Sequence, residues 1–438
     1  MYLPDFTAED IKSCVYGAYN QNSFDSPEVA PLREIIPGLN ILELWHGPTC
    51  AFKDMALQML PHLLTLSVSK NGEHDEIVIL VATSGDTGKA ALEGFKDVKG
   101  TRIIVFFPRD GVSEVQKRQM ITQEGNNVSV AAVKGNFDDA QNGVKNIFAS
   151  ERVVKTLADS HMKMSSANSI NWGRLLPQIV YYVSSYLDIL AAGKKAGEPV
   201  NVVVPTGNFG NILAAYYARQ MGVPIKKLIC ASNSNNVLTD FLRTGIYNRN
   251  RHFYKTMSPS MDILISSNLE RLLHEITDDA EKVSAWLEDL RETGQYQVDD
   301  KTLGEIQKLF WADYCSEEET TQTIKMVWQE HHYLLDPHTA VAWNVYEKYA
   351  KAENDPTEAI IASTASPFKF GSSVAQAVLQ PERFAQARDE FEILDILARE
   401  TGLTVPGGIK DLKQREIRHD TICDRDAMDK AVLGFLEL

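Results

Sequence analysis

Six consecutive apolar residues, Ile77-Val78-Ile79-Leu80-Val81-Ala82, run into Thr83-Ser84-Gly85-Asp86-Thr87-Gly88 and then into a helical stretch through Phe95. A strand that is apolar at every position offers no face to water, so both of its faces must be covered. Helices on each side of a parallel sheet, reached by strand–helix–strand crossovers, meet that requirement. The pattern recurs: strand Ile103 to Phe107, a helix opened by the capping-box spacing Ser113-Glu114-Val115-Gln116, strand Val128 to Val133 and helix Asp138 to Ser150. It resumes with helix Leu175 to Lys194, strand Val200 to Val204, helix Ile212 to Met221 closed by Gly222, and strand Lys226 to Ala231. The chain is therefore expected to be α/β, with parallel sheets covered by helices.

Two stretches depart from the alternation. Residues 1–40 read as one helix, Thr7 to Tyr19, and a loop-rich segment with Pro27, Pro31 and Pro37. Residues 240–335 carry many charges, few strand-like runs and helical stretches near 267–276, 280–292, 301–311 and 317–331. They read as a helical insertion late in the fold. Residues 358–364 return to strand, and the remainder is mostly helical.

Composition excludes several classes of function. The 438 residues are 44% apolar and 24% charged, as in globular proteins. A net charge of -15 argues against non-specific binding to nucleic acid or acidic membranes, so an anionic substrate needs a local basic pocket. The five cysteines (Cys14, Cys50, Cys230, Cys315, Cys423) are odd in number and never spaced C-x-x-C, which speaks against a disulfide framework or structural zinc. The acidic start, with Asp5, Glu9 and Asp10, has no basic and apolar leader pattern, and the longest uncharged apolar run stops at Asp188. A cytoplasmic protein with no membrane or nucleic-acid partner is expected.

Four loops and one helix start hold residues suited to chemistry. In His46-Gly47-Pro48-Thr49-Cys50-Ala51-Phe52-Lys53-Asp54, Gly47-Pro48 breaks the preceding element, Thr49 is an N-cap candidate and Met55 to Leu60 reads as helix. Lys53 then falls in the first turn, where the helix dipole disfavours a cation. Two readings stand: a solvent-facing lysine, or an amine with a lowered pKa that acts as a nucleophile. The loop 83–88 reads either as a βα turn with a hydroxyl cap or as donors for a ligand beyond the strand ends. Gly207-Asn208-Phe209-Gly210-Asn211 lies between a buried strand and a helix, and its two glycines suit a backbone nest around phosphate more than a plain turn. Asn168-Ser169-Ile170-Asn171-Trp172-Gly173-Arg174 is a helix cap or an oxyanion clamp. Ser363-Thr364-Ala365-Ser366-Pro367-Phe368-Lys369-Phe370 is a strand end or a contact to a ring nitrogen. Asp336-Pro337-His338 reads as a helix start with Asp336 as N-cap, and His338 in a capping or packing role. Met257-Ser258-Pro259-Ser260-Met261-Asp262-Ile263 receives no role from composition.

Taken together, LWHGPTCAFKDMALQ (44–58), ATSGDTGKAA (82–91), NSINWGR (168–174), PTGNFGNILAAYYA (205–218), MSPSMDILISSNLERLL (257–273), DPHTAVA (336–342) and STASPFKF (363–370) resemble threonine synthase. That is a pyridoxal-phosphate enzyme family of fold type II, in the tryptophan synthase β superfamily; the long 257–273 motif is similar to its insertion-containing branch. The resemblance implies two parallel or mixed sheets covered by helices and a mostly helical insertion. It implies a large domain containing 1–76 with the cofactor lysine, 158–239 and 336–438, a small domain at 77–157 and the insertion at 240–335. Members usually begin several tens of residues earlier, with motifs that precede the point where this sequence opens. They often carry His where Ser366 stands, and Leu or Phe where Cys50 stands.

The same resemblance implies residue roles. Lys53 would be the Schiff-base lysine and, with Thr87, catalytic. Ser84, Asp86, Gly207, Asn208, Phe209, Gly210, Asn211 and Thr364 would bind pyridoxal phosphate, Thr364 at the ring nitrogen. Ser84, Thr87, Asn168, Ser169 and Arg174 would bind O-phospho-L-homoserine, which is converted with water to threonine and phosphate by a monomer or homodimer. No metal is expected. The rival readings are a phospho-lyase of the same fold that makes 2-oxobutyrate, and an inactive cofactor-binding protein.

Overall fold

The computed structural model describes residues 3–110 and 112–438. The apolar run lies in strand Glu76–Ala82, inside a five-stranded parallel sheet ordered Thr421–Asp424, Val128–Lys134, Thr101–Pro108, Glu76–Ala82, Met162–Ser166. Its side chains divide with a period of two, as strand geometry requires. Ile77, Ile79 and Val81 pack with Leu92 and Phe95 of helix Asp86–Phe95. Val78, Leu80 and Ala82 pack with Val144 and Ile147 of helix Phe137–Ala149 and with Met428 and Val432 of helix Met428–Phe435. Each fully buried Ile, Leu or Val contributes roughly 1.5–3 kcal/mol over leaving it exposed. A polar residue in this run would therefore cost the sheet one of its two layers.

The second sheet has six strands in the order Leu32–Ile36, Leu39–Glu43, Ala359–Ser363, Val200–Pro205, Ile225–Ser232, Phe310–Tyr314. Its outer hairpin is antiparallel and turns through Gly38 at φ 80, while the other pairings are parallel. This sheet too is covered on both faces: Val202 and Val204 enter one core, Val203 the other. Both sheets and their helices match the expected α/β fold type II architecture. No helix among the described residues is long and apolar enough to cross a membrane.

Three expectations about chain division are corrected. Met162–Ser166 pairs with Glu76–Ala82, so the smaller sheet extends beyond residue 157. Thr421–Asp424 pairs in parallel with Val128–Lys134, and helix Met428–Phe435 seals that sheet, so the C-terminus belongs there rather than with the six-stranded sheet. Segment 240–335 is helix-rich but not a separate lobe. Its strand Phe310–Tyr314 closes the edge of the larger sheet against Ile225–Ser232, and Leu269, Leu272, Trp286 and Ile306 join that sheet's core. A second short ribbon pairs Ile246–Asn248 with Gln295–Gln297. Each correction is a pairing between distant segments, which local periodicity does not encode.

Candidate active site

The sequence places Lys53 at a helix start, and the structure buries it there. Helix Lys53–Leu57 begins at Lys53, and Phe52 is its N-cap without a side-chain hydrogen bond. Thr49 is not the cap. Its backbone N–H and hydroxyl instead donate to the two oxygens of Asp54, at 2.8 and 2.7 Å. The reason is burial: Asp54 is fully enclosed, and a buried carboxylate left without donors is costly. Even so, burial pushes the Asp54 carboxyl up to about 6, against the pull of Thr49 and Lys369. Gly47 makes the packing workable, because a Cβ there would lie 2.4 Å from the Asp54 Cβ.

The strand end at 363–370 is pinned along this segment. Phe52 N–H donates to Thr364 O at 2.8 Å, Ser366 N–H to Cys50 O at 3.1 Å, and Ala51 bridges Ala365. The fully buried Lys369 donates to Thr49 O at 2.7 Å. Thr364 is buried beside the lysine's own turn.

Asp86 is the electrostatic centre. It stands in the first turn of helix Asp86–Phe95, where the helix dipole favours an anion. Its Oδ2 accepts from Lys53 Nζ at 3.1 Å and from Ser260 Oγ at 3.0 Å. Its Oδ1 accepts from Gln116 Nε2 at 2.8 Å and lies 3.1 Å from Lys369 Nζ. Burial opposes the charge, but Lys369 and Lys53 outweigh it and hold the carboxyl well below its usual range. For Lys53 the balance goes the other way. Burial lowers its pKa, Asp86 opposes, and the charges of Lys369 and Arg174 lower it further, for a net fall. The lysine is therefore buried beside Asp86 and does not face solvent.

The loop before Asp86 is held by Thr83, whose hydroxyl accepts from Gly85 N–H and Gly88 N–H at 2.9 Å each. Gly85, at φ 139, takes a conformation that suits glycine, with Gln116 against it. Ser84 is exposed and Thr87 half-buried at the mouth of this loop.

The loop at 207–211 is built from backbone and amides. Phe209 adopts the left-handed region, φ 60, directly before helix Gly210–Gln220. Its ring packs inward against Phe310, so its contribution to the loop is its backbone. Asn208 is exposed and Gly210 half-buried. Tyr181 and Tyr182 both donate to Asn211 Oδ1, Tyr181 at 2.8 Å, which orients the amide. That leaves the buried Asn211 Nδ2 with no partner among the described residues. A Cβ on Gly207 would meet Ser260 O at 2.6 Å.

Of Asn168, Ser169 and Arg174, Ser169 is tied to the same loop through Asn268. Ser169 Oγ lies 3.1 Å from Ser267 Oγ, and Asn268 Nδ2 donates to Ser169 O at 3.2 Å and to Asn208 O at 2.9 Å. Asn168 is half-buried and turned elsewhere: it lines a cavity with Ser166 and with Gln141, Val144 and Phe148 of helix Phe137–Ala149. Arg174 is buried and donates from Nη1 to Ala167 O at 3.0 Å, while its Nε has no partner among the described residues. Burial pushes its guanidinium down to about 10. No carboxylate among the described residues pairs with it, and a buried cation in that state favours an anion nearby.

Sequence reasoning missed Ser260, Lys369, Gln116 and Asn268. Ser260 lies 3.3 Å from Lys53 Nζ across 207 residues of chain, a contact no local pattern encodes. The signal was the 257–263 stretch, for which packing offered no explanation. Asp336 caps helix Pro337–Glu353, with Pro337 at its start, as expected. His338 has a positioning role: Nδ1 lies 2.8 Å from Asp336 Oδ1, and Nε2 accepts from Ser260 N–H at 3.2 Å.

Comparison with known proteins agrees with this geometry. Residues 37–364 match the family described as pyridoxal-phosphate dependent enzyme, and residues 339–432 the one described as threonine synthase, C-terminal. The chain is similar to threonine synthase-like 1 of Pongo abelii, 43% identical over 383 residues that cover 85% of this chain and 51% of that protein. It is similar to threonine synthase of Saccharomyces cerevisiae, 39% identical over 401 residues that cover 86% of this chain and 76% of that one. The crystal structure of PLP-bound threonine synthase from Brucella melitensis is 36% identical, with a TM-score of 0.84 over 98% of this chain and 84% of that chain. The chain spans about half the length of the threonine synthase-like 1 relatives it matches.

Proposed function

Because the chain belongs to the pyridoxal-phosphate dependent enzyme family, in its threonine synthase branch, we propose that it converts O-phospho-L-homoserine and water to L-threonine and inorganic phosphate. The observation that carries this reading is the buried amine of Lys53, 3.1 Å from Asp86 and set between two glycine-bearing helix starts.

The residues present fit pyridoxal phosphate. Asn211 Nδ2 is a buried donor without a partner among the described residues, and Gly207 lets the loop backbone lie close against Ser260 O, where a Cβ would clash. The backbone N–H groups of 207–211 and the start of helix Gly210–Gln220 would hold the cofactor phosphate. Lys53 would hold its aldehyde carbon, and Thr364 would meet the ring nitrogen. When bound, the cofactor supplies an electron sink that acidifies the carbon-bound protons beside the substrate amine.

The chain's own groups do the rest. Lys53, as free amine, takes a proton at Cα and then at Cβ of the substrate. Asp86 and Ser260 orient that amine from one side. Arg174, with Asn168 and Ser169, binds the substrate phosphate that leaves from Cγ; Ser84 and Thr87 bind the substrate at the mouth of the other loop. In this reading the five-stranded and six-stranded sheets form the small and large domains, and the site lies between their strand ends. Five buried free cysteines support a reducing, cytoplasmic setting, and we take the active form to be a monomer or homodimer.

The test is incubation with pyridoxal phosphate and phosphohomoserine, measuring threonine, phosphate and 2-oxobutyrate together. Threonine with equal phosphate is expected; 2-oxobutyrate alone replaces the reading with elimination. Lys53→Ala is expected to lose both the cofactor's visible absorbance and threonine formation, and an unchanged spectrum sinks the assignment. Arg174→Ala is expected to raise KM for phosphohomoserine about tenfold to a hundredfold while keeping the cofactor. Loss of cofactor instead moves Arg174 to the other phosphate.

A further inference from the structure

Lys369 has no role in the reaction as described, yet it is fully buried. Taking an ammonium out of water costs several kcal/mol unless its hydrogens are satisfied and its charge is balanced. Here the balance is shared. Lys369 Nζ lies 3.1 Å from Asp86 Oδ1, while Lys53 Nζ lies 3.1 Å from Asp86 Oδ2. Two lysines thus grip opposite oxygens of one carboxylate, which can neutralise only one of them.

The remaining partners decide which lysine keeps the extra proton. Lys369 donates to Thr49 O at 2.7 Å as well as facing Asp86, so both of its partners are oxygens that only accept. A charged ammonium serves that pair best. Lys53 faces Asp86 Oδ2 and Ser260 Oγ, and Ser260 Oγ itself donates to Asp86 Oδ2 at 3.0 Å. A neutral Lys53 amine still has two hydrogens for those two oxygens and keeps its lone pair free. Gln116 Nε2, at 2.8 Å from Oδ1, completes four donors around Asp86 and fixes it as the anion. The charged and titratable groups around Lys53 are Asp86 and Lys369 on this clamp, Arg174 from helix Trp172–Ala191, Asp54 beside it in its own helix, and His338 behind Ser260. With one oxygen of Asp86 held by Lys369, the positive charges that bear on Lys53 are those of Lys369 and Arg174.

We propose that Lys369 is a positioning residue for Lys53: by clamping the far oxygen of Asp86 and fixing a second positive charge beside the first lysine, it keeps the Lys53 amine free to attack an aldehyde. This rests on the cofactor reading above for the identity of the aldehyde, but not for the electrostatics. In that attack the nitrogen lone pair forms the bond to the aldehyde carbon, and the carbonyl oxygen leaves as water with both amine hydrogens. A protonated Lys53 has no lone pair with which to begin.

The experiment is competitive labelling of the full chain, freed of cofactor, with trace acetic anhydride from about pH 6 to about pH 11, reading acetylation of Lys53 by mass spectrometry of its peptide. In the wild-type chain the midpoint for Lys53 is expected below the ordinary lysine value of about 10.4, and a midpoint at or above that value overturns the proposal. Lys369→Met removes the charge and keeps the length. It is expected to move the midpoint up by about one unit, which reads as about tenfold slower labelling of Lys53 near neutral pH. A folded Lys369→Met chain, judged by near-ultraviolet circular dichroism, with an unmoved midpoint overturns the proposal; a purely structural role for Lys369 predicts that result. If Lys369→Met does not fold, Asp86→Asn decides. With Lys369 still charged and its counter-ion gone, the midpoint is expected to fall, and one that stays or rises overturns the shared clamp. Pyridoxal phosphate absorbance is read in parallel on the same samples. A chain that takes up no pyridoxal phosphate but shows the Lys369-dependent midpoint supports this inference and overturns the cofactor reading.

Discussion

The loops at 83–88 and 206–211 begin alike and end as different tools. Each follows a buried parallel strand, each carries glycine, and each feeds a helix start. In the first, the helix start presents a carboxylate that gathers two lysines, a serine and a glutamine. In the second, side-chain charge is absent: the loop turns on Phe209 in the left-handed region, and Asn211 offers an amide NH2 with no partner among the described residues. The first arrangement suits holding and moving a proton, the second suits cradling an anion. Ser260 joins them, with its hydroxyl on Asp86 and its carbonyl against Gly207. The lesson is that strand-to-helix geometry supplies a place for ligands, while side-chain charge decides which chemistry occupies it.

The comparison breaks most easily at Asp86. Asp86→Asn leaves Lys369 buried without its counter-ion, and the expected cost is about 3 kcal/mol of stability. Turnover is expected to fall a hundredfold or more, roughly the span of general acid–base effects. If the two loops divide the work as described, the affinity for pyridoxal phosphate changes far less than kcat. A dissociation constant that rises in step with the loss of kcat would erase the distinction between the loops.

A second test asks whether a carboxylate's partners, rather than its burial, set its charge. Asp54 and Asp86 are both buried, but among the described residues Asp54 has only Thr49 as hydrogen-bond donor. Its folded pKa of about 6 lies above the unfolded value of about 3.9. The folded chain therefore holds the extra proton in that window, and stability is expected to fall by about 2 kcal/mol as pH rises from about 4 to about 6. Asp86 acts with the opposite sign: held ionised, it adds stability above about pH 4 that is lost in stronger acid. Urea unfolding across pH, compared with Asp54→Asn, checks the first slope. An identical profile in the variant would show that Asp54 does not titrate there.

The smallest effect belongs to the amide loop. Gly207→Ala drives a Cβ to 2.6 Å from Ser260 O and 3.3 Å from Met261 Cα, so the backbone at 260–261 must give way. About 1–2 kcal/mol of stability and about tenfold of cofactor affinity are expected to go. Gly210→Ala meets its nearest neighbour, Asn268 Nδ2, at 3.6 Å, an ordinary contact. It should stay within about 0.5 kcal/mol of the parent. Equal effects from the two substitutions would mean that the loop is not shaped by close approach at Gly207.

Much of the molecule was legible locally. Continuous apolar runs announced strands covered on both faces, because a strand buried on both sides leaves no polar position. Ser113 and Asp336 announced helix starts, because a side-chain acceptor next to free backbone N–H groups acts within a few residues. Lys53 and the two loops were legible as unusual for the same reason: their oddity lies in the first turn of a helix. What tertiary structure decided is which distant groups meet. Thr49 reads as a cap but serves Asp54, since an enclosed carboxylate outbids a backbone N–H for the hydroxyl. Strand Thr421–Asp424 reads as part of a helical tail but completes the smaller sheet, because pairing is settled by whichever edge is left open. Neither Lys369 nor Ser260 had a role of its own until folding set both against Asp86, on opposite oxygens of its carboxylate. Local chemistry is written at spacings of three or four residues; the ionisation of a buried amine depends on charges brought close from across the chain.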